Sequence, residues 1–147
     1  MNLEHVEERC LNLLEQATDP LVPVSRLLEH CQRDPECTDL ELRPLLEFLN
    51  THGEITVVPD PTEQLIAELP ADAPVRPPSG PRAILNTRMP TERELAVFLL
   101  QQLDTLRQGL QAAFEQAKLQ ADAGKAARLR HALARTEELA ERARQLA

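Results

Sequence analysis

The chain has 147 residues, of which 42% are hydrophobic and only 2% aromatic, so Leu, Ala, Val and Ile must pack its core. The formal net charge is −8 and is unevenly spread. Residues 1–81 contain five arginines, no lysine and 16 acidic residues, a net −11, whereas residues 82–147 contain 11 basic and eight acidic residues, a net +3. This acidic first half argues against a role that requires attraction to nucleic-acid phosphates.

The sequence also disfavours a membrane or secreted protein. Every apolar run is shorter than the roughly 18 residues that cross a bilayer. The acidic start, MNLEHVEERC, lacks the basic and apolar regions of a signal peptide. Three cysteines at irregular spacing do not form a disulfide framework. A reducing, cytoplasmic setting without a membrane partner is therefore expected.

Two helices and an edge strand are predicted in the first 32 residues. A helix over residues 3–17 ends at an Asp-Pro pair. Pro23 lacks an amide donor, which limits the extended piece around it to a sheet edge. Ser25 is the expected N-cap of a second helix that runs to about Gln32. The apolar faces of these helices carry Leu3, Val6, Cys10, Leu13, Leu14, Leu27, Leu28 and Cys31.

A third helix and a strand are predicted within residues 38–58. Four leucines at helical spacing mark the helix, and Gly53 is placed to end it in the left-handed conformation. The run ITVV that follows is typical of a strand. Thr38 and Glu41 have the spacing of a capping box, but Pro44 is also tolerated at the first position of a helix. The helix therefore begins either after a cap at Thr38 or at Pro44, and the sequence does not decide between these two starts.

The sequence DPTE at residues 60–63 is compatible with two structures. A type I turn would lead into a second strand over residues 64–69 and complete a hairpin. The same four residues also have the order expected for the first turn of a short helix: Asp as N-cap, Pro at the first position and Glu at the third. Both interpretations remain open.

The order of elements in residues 1–69 resembles that of a winged-helix (winged helix-turn-helix) domain. The likeness rests on LVPV, SRLLEHC and LRPLLEFLNTHGEITVV. The resemblance implies that the start of the third helix would lie in the major groove of DNA. Here that start contains two acidic residues, Asp39 and Glu41, and one basic residue, Arg43. Acidic side chains repel phosphates. These three residues are therefore candidate partner-binding positions, and DNA is disfavoured as the partner.

The remaining chain divides into two parts of different composition. Six of the twelve prolines fall in residues 70–90, which predicts a semi-rigid, proline-rich linker. Residues 91–147 are rich in Ala, Leu, Gln and Arg, and contain no proline. The predicted organisation is a winged-helix-like domain over residues 1–69, a linker over 70–90 and a helical segment over 91–147.

Two antiparallel helices are predicted in residues 91–147. Thr91 and Glu94 have the spacing of a capping box. A break in the apolar phase at residues 122–125 favours a turn there, with the second helix the shorter; one long bent helix is the alternative. The two apolar stripes consist of Leu95, Leu99, Leu103, Leu106, Leu110, Ala113, Ala117 and Ala121, then Ala126, Leu129, Leu133, Thr136, Ala140 and Ala143.

Six consecutive apolar residues, LAVFLL at residues 95–100, cover the whole circumference of the first of these helices. The second helix is expected to be too short to reach them. Their cover must then come from the N-terminal domain, the linker or a second copy of the chain. We expect a dimer that uses the same face twice. The predicted interface residues are Leu95, Phe98, Leu99, Leu103 and Leu106.

No catalytic, metal or cofactor site is predicted. Cys31 and Cys37 are spaced unlike the close cysteine pairs of structural zinc sites. Cys10 and Cys31 are expected to be small buried hydrophobes. Ser25 and Ser79 lack the sequence context of a nucleophile, and the four glycines form no phosphate-binding loop.

The sequence thus predicts a mainly α cytoplasmic protein. It combines a small winged-helix-like α+β domain, a proline-rich linker and a C-terminal antiparallel helical hairpin with a coiled-coil exterior. The expected function is a non-enzymatic protein–protein interaction or assembly module that self-associates through its C-terminal helices. The alternative is a dimeric winged-helix DNA-binding transcriptional regulator.

Overall fold

A computed structural model describes residues 2–69, 75 and 79–147 of the chain. The fold is mainly helical, as the sequence predicts, and it contains a small three-stranded antiparallel sheet. The chain divides into two compact units, Met1–Asp60 with Ser79–Pro90, and Pro61–Pro78 with Thr91–Ala147. The predicted boundaries differ from this division, because residues 61–69 join the C-terminal helices and residues 79–90 join the first unit.

The first unit contains three helices: α1 over Leu3–Gln16, α2 over Val24–Gln32 and α3 over Leu42–Thr51. The side-chain oxygen of Asn2 caps α1 by accepting hydrogen bonds from two backbone amides of its first turn. The helix α1 lies within one residue of its predicted bounds, and α2 ends at the predicted residue but starts two residues earlier than predicted.

The start of α2 differs from the prediction at Ser25, which is not the N-cap. Pro23 occupies that position, and Ser25 is already helical. The amide of Val24 donates to the carbonyl of Pro81 at 3.0 Å. A hydrogen bond from a distant part of the chain therefore satisfies an amide at the helix start, where a side-chain cap would otherwise be needed.

Neither predicted start of α3 is observed. The helix begins at Leu42, with Glu41 as an N-cap residue that makes no side-chain capping bond. Thr38 is not part of a capping box, because its hydroxyl donates to the carboxylate of Asp39 at 3.1 Å. Pro44 is the third helical residue. Its missing amide costs little there, since the first four amides of a helix have no partner within it.

The end of α3 also differs from the prediction. His52 is the C-cap and is extended, with φ −81° and ψ 123°. Gly53 does not adopt the left-handed conformation, since Gly80 is the one glycine with positive φ. The ring of His52 accepts a hydrogen bond from the amide of Glu54 at 3.2 Å, which satisfies a backbone donor just after the helix.

The sheet consists of β1 over Val22–Pro23, β2 over Ile55–Val58 and β3 over Arg82–Leu85, in the order β1-β3-β2. Both pairings are antiparallel, and Ile55 lies opposite Leu85. β1 is an edge strand, as the proline within it predicted.

The central strand, β3, lies inside the segment predicted to be a linker, so that prediction is wrong for residues 82–85. Ala83 and Ile84 are fully buried, and β3 pairs with a strand on each side. The strands that pair with β3 are distant in the chain, so no pattern in the residues around 82–85 predicts a strand there. A 3-10 turn, Asn86–Arg88, follows the strand. Residues 70–74 and 76–78 of the predicted linker lie outside the described residues.

The core of the first unit is built from all three helices and the sheet. Its large aliphatic side chains are buried together with three cysteines, which act there as small apolar groups. The principal members are Val6, Cys10, Leu14, Val22, Val24, Leu27, Cys31, Cys37, Leu45, Leu49, Ile55, Ala83 and Leu85.

The second unit contains α4 over Glu63–Ala67, α5 over Glu92–Leu119 and α6 over Ala123–Leu146. Of the two structures left open after Asp60, the helix is therefore confirmed and the strand is wrong. Leu65 of α4 is buried against the other two helices, which explains why this short segment belongs to the second unit.

The antiparallel hairpin of α5 and α6 is confirmed, and one long helix is excluded. The predicted capping box at Thr91 and Glu94 is present. Asp122 caps α6 by accepting a hydrogen bond from the amide of Lys125 at 3.1 Å. Between the helices, Ala121 takes a left-handed conformation with φ 57°.

The hairpin core is mostly aliphatic and also contains Phe114 and Thr136. Thr136 is 1% exposed, and its hydroxyl donates to the carbonyl of Ala132 at 2.8 Å, so its burial leaves no unsatisfied donor. Among the described residues, no helix is both long enough and apolar enough to cross a membrane. The principal core members are Leu65, Leu103, Leu106, Leu110, Ala113, Phe114, Ala117, Leu129 and Ala140.

Candidate self-association surface

The apolar block, residues 95–100, lies within the first three turns of α5. The capping box fixes where these turns begin. The Thr91 hydroxyl accepts from the amide of Glu94 at 3.1 Å, and the Glu94 carboxylate accepts from the amide of Thr91 at 3.1 Å. The two acidic residues of the first turn, Glu92 and Glu94, also suit the positive end of the helix dipole.

The six side chains of the apolar block are covered unevenly. Ala96 is buried, whereas Val97 is 40% exposed. The other four are half-buried: Leu95, Phe98, Leu99 and Leu100. A globular chain normally buries such large side chains, because full burial of one Leu or Phe is worth roughly 1.5–3 kcal/mol. The incomplete cover therefore marks this end of α5 as a surface with unused apolar area.

The predicted interface residues separate into two groups. Leu95, Phe98 and Leu99 lie in the apolar block and reach the surface in part. Leu103 and Leu106 are only 1% and 4% exposed and belong to the hairpin core. A partner could touch Leu103 and Leu106 only if the hairpin opened, so these two residues lie in the core beneath the surface.

The second arm of the hairpin reaches the apolar block, contrary to the prediction. α5 has 28 residues and α6 has 24. Leu100 and Arg144, from opposite arms, line the same groove, whose volume is about 220 Å³. The apolar block stays partly exposed because α6 packs against only one side of α5.

Charges of both signs surround this groove. Asp104 and Arg107 form an ion pair along α5, and the guanidinium of Arg144 lies 3.1 Å from the carboxylate of Glu137. Hydrogen bonds to Glu137 and then Glu141 raise the pKa of Arg144 above its ordinary value. The groove lining contains two acidic and two basic side chains, so its formal charge is zero. No pattern in the sequence identifies these groove residues as a site, although the i,i+3 spacing of Asp104 and Arg107 is a recognisable helix-surface pair.

The candidate partner-binding residues of the first unit lie at the start of α3. Asp39 and Glu41 are exposed and precede the helix. Arg43 is helical, and its side chain is 90% exposed with its Nε atom 3.5 Å from a carboxylate oxygen of Glu47. The one basic side chain of the set therefore has an acidic neighbour on the next turn.

The three cysteines are buried, in accord with the role expected for Cys10 and Cys31. The sulfur atoms of Cys10 and Cys31 lie 3.6 Å apart, while the Cys37 sulfur contacts the carbonyl of Asn2 at 3.9 Å. Within the described part of the chain, no group of three or more His, Cys, Asp or Glu residues is arranged to hold a metal ion.

A polar cluster that the sequence did not reveal surrounds Asp34, a residue with only 8% exposure. Its carboxylate lies 2.9 Å from the ring of His5 and 3.4 Å from the Nε atom of Arg9. The helix α1 thus contacts the turn after α2 through charged groups. His5 and Arg9 are one turn apart on α1, but only the tertiary fold places Asp34 opposite them.

Comparison of the chain with protein-family models, with curated proteins and with solved structures gave no match.

Proposed function

We propose that this protein is a non-enzymatic protein–protein interaction or assembly module that forms a homodimer through the start of α5. The observation that carries the proposal is the incomplete cover of the apolar block, with Val97 40% exposed and Leu95 and Leu99 half-buried. A second copy would complete their burial. Because these side chains are already partly covered, each would gain only part of the roughly 1.5–3 kcal/mol that full burial provides, and the summed gain favours association.

The charges beside the apolar block favour a second copy over a partner of opposite charge. A two-fold interface brings the same patch together twice, so the patch must complement itself. The adjoining groove contains Asp104 and Glu137 with Arg107 and Arg144, and this balance of signs lets two copies approach without net repulsion. An acidic or a basic partner would meet no complementary net charge there.

The proposal places a winged-helix-like domain in the first unit. The resemblance requires a second strand to pair with the one that follows the third helix. β3 pairs antiparallel with β2, and this supports the assignment even though residues between them belong to the second unit. In this proposal the acidic start of α3, with Asp39 and Glu41, faces a protein partner in a cytoplasmic setting, and no catalytic step or cofactor is involved.

A dimeric DNA-binding transcriptional regulator is the second candidate. The β2–β3 pairing favours it as much as it favours any winged-helix role. The charge opposes it: Arg43 already has Glu47 beside it at 3.5 Å, and residues 1–81 carry a net −11. Affinity for a duplex comes largely from cations that meet phosphates, so this surface would bind DNA weakly.

Light scattering on the full chain over a range of concentrations tests the primary proposal. A dimer has twice the chain mass of 16.5 kDa and should dissociate on dilution. A monomer that persists at high concentration would overturn self-association.

A further inference from the structure

The contact between Cys10 and Cys31 supports an inference separate from self-association. Cys10 lies on α1 and Cys31 on α2, and both side chains are fully buried. Their sulfur atoms are 3.6 Å apart. In a disulfide the two atoms are about 2.05 Å apart. If both sulfur atoms moved equally, each would need to move by less than about 1 Å to reach that distance.

The surroundings make these two thiols chemically unequal. The hydrogen bond from Cys10 lowers the pKa of Cys31, and the positive charge of Arg9 acts in the same direction. The same hydrogen bond, together with burial, raises the pKa of Cys10. The contact between the two thiols therefore favours an ionised Cys31 beside a protonated Cys10, and either sulfur lies within reach of the other.

The third cysteine provides an internal control. Cys37 lies in the turn before α3, and its sulfur contacts the carbonyl of Asn2 at 3.9 Å. Burial raises the pKa of its thiol, which makes it less reactive. Cys37 has neither the close sulfur partner nor the lowered pKa.

We propose that Cys10 and Cys31 are a redox modification site that forms a reversible intramolecular disulfide on reaction with a hydroperoxide. The Cys31 thiolate attacks one peroxide oxygen and becomes a sulfenic acid, while the other oxygen leaves as hydroxide and takes up the proton that Cys31 released. Cys10 then attacks the sulfenic sulfur, and its proton leaves with the hydroxyl group as water. With hydrogen peroxide, two thiols are oxidised and one peroxide is reduced to two waters.

The disulfide would join α1 to α2 across the core of the first unit. It closes a loop between positions 21 residues apart, which restricts the unfolded chain and stabilises the fold. Because both thiols are buried, peroxide reaches them when the two helices open locally. The small size of hydrogen peroxide suits such a site better than a bulky disulfide oxidant.

The test treats the reduced full-length protein with hydrogen peroxide, alkylates the remaining thiols and maps the peptides by mass spectrometry. We expect the loss of two hydrogen atoms, a crosslink between Cys10 and Cys31, and an alkylated Cys37. Dithiothreitol should reverse the change. The thermal unfolding midpoint of the oxidised protein should rise by several degrees.

Two variants provide the controls. Cys37→Ala should give the same crosslink, and Cys10→Ala should give none and should gain oxygen at Cys31 instead. A wild-type crosslink that includes Cys37, a disulfide between two chains, or oxygen addition at Cys31 without a crosslink would overturn the proposal. The wild-type map decides the outcome even if a variant folds poorly.

Discussion

The guanidinium of Arg88 donates a hydrogen bond of 2.8 Å to the backbone carbonyl of Ala17, 71 residues earlier in the chain. It also donates to the carbonyls of Leu14 and Glu15, at 2.5 and 3.1 Å. These carbonyls lie at the end of α1, where no following turn supplies amide donors. One side chain after β3 thus satisfies the end of the first helix.

Replacement of Arg88 should destabilise the first unit. Arg88→Ala removes hydrogen bonds from a charged donor, and we expect a loss of about 1.5–3 kcal/mol in the free energy of unfolding. Urea denaturation followed by circular dichroism measures this change. Arg26→Ala, an exposed arginine of the same unit, should change stability by less than about 0.5 kcal/mol. If Arg88→Ala lowers the free energy of unfolding no more than Arg26→Ala does, the hydrogen bonds of Arg88 contribute nothing to stability.

The contrast between α1 and Arg88 shows what the sequence can predict about this fold. The helices α1, α2, α5 and α6 have local signals, namely apolar periodicity, caps and a phase break. Arg88 and β3 depend on partners that are distant in the chain. The start of α2 is similar, because the Val24 amide bonds to Pro81, and Ser25 therefore has no capping role.

The carboxylate of Asp34 should make stability depend on pH. It accepts a hydrogen bond from the amide of Glu36 at 3.0 Å. That bond, followed by those from His5 and Arg9, lowers the pKa of Asp34 below its ordinary value. A lowered folded-state pKa means that the carboxylate stabilises the fold above its ordinary pKa. The contribution is lost as the pH falls through the lowered pKa.

Asp34→Asn tests this pH dependence. The variant should be less stable than wild type at neutral pH, and the difference should narrow as the pH falls to about 3 and below, because wild-type Asp34 then becomes protonated. Urea midpoints at several pH values give the comparison. Asp39→Asn, at an exposed carboxylate, is the control and should change stability at neutral pH by less than about 0.5 kcal/mol. A gap between Asp34→Asn and wild type that stays constant down to about pH 2 would contradict the assignment.

Ala121 offers a stabilising substitution at the hairpin turn. Its φ of 57° places a Cβ atom in the left-handed region, which costs about 1–2 kcal/mol for a residue other than glycine. Ala121→Gly should raise the free energy of unfolding by about 0.5–1 kcal/mol, since the greater freedom of glycine in the unfolded chain offsets part of the gain. Thermal unfolding measures the shift. The matched change Ala134→Gly, at an exposed position inside α6, should lower stability by about 1 kcal/mol.

The apolar block can be located from the sequence, whereas the burial of its neighbours cannot. Six apolar residues in a row are visible in the sequence, and they identify residues 95–100. The burial of Leu103 and Leu106 depends on where α6 packs, which the sequence does not specify. The groove charges of Asp104 and Arg144 come together only when both arms of the hairpin are in register.

The acidic first unit should not bind duplex DNA at physiological salt. We expect no change in the fluorescence anisotropy of a labelled duplex at micromolar protein, because Asp39 and Glu41 accompany the single Arg43 at the start of α3. Micromolar or tighter binding that weakens steeply with added salt would show that DNA is a ligand. Arg43→Glu should then abolish that binding, which would assign it to α3.

Substitutions in α5 test the proposed dimer. Val97 is 40% exposed, so the monomer can accept a charged side chain at this position. In a dimer, Val97→Glu would place two carboxylates near the two-fold axis in an apolar interface, where a buried charge is costly. We expect Val97→Glu to be a folded monomer at concentrations at which the wild type is a dimer. Sedimentation and circular dichroism measure the two properties.

The same helix supplies a matched control for the dimer. Leu119 is 88% exposed at the other end of α5, so Leu119→Glu makes a comparable apolar-to-acidic change away from the apolar block. It should leave the dimer intact. Leu99→Glu, at a half-buried position, should give monomer or aggregate, and Arg142→Glu should have little effect. If Val97→Glu and Leu119→Glu weaken association equally, the association is a nonspecific effect of exposed apolar side chains and is not a contact of the apolar block. If neither changes a stable wild-type dimer, the interface lies elsewhere.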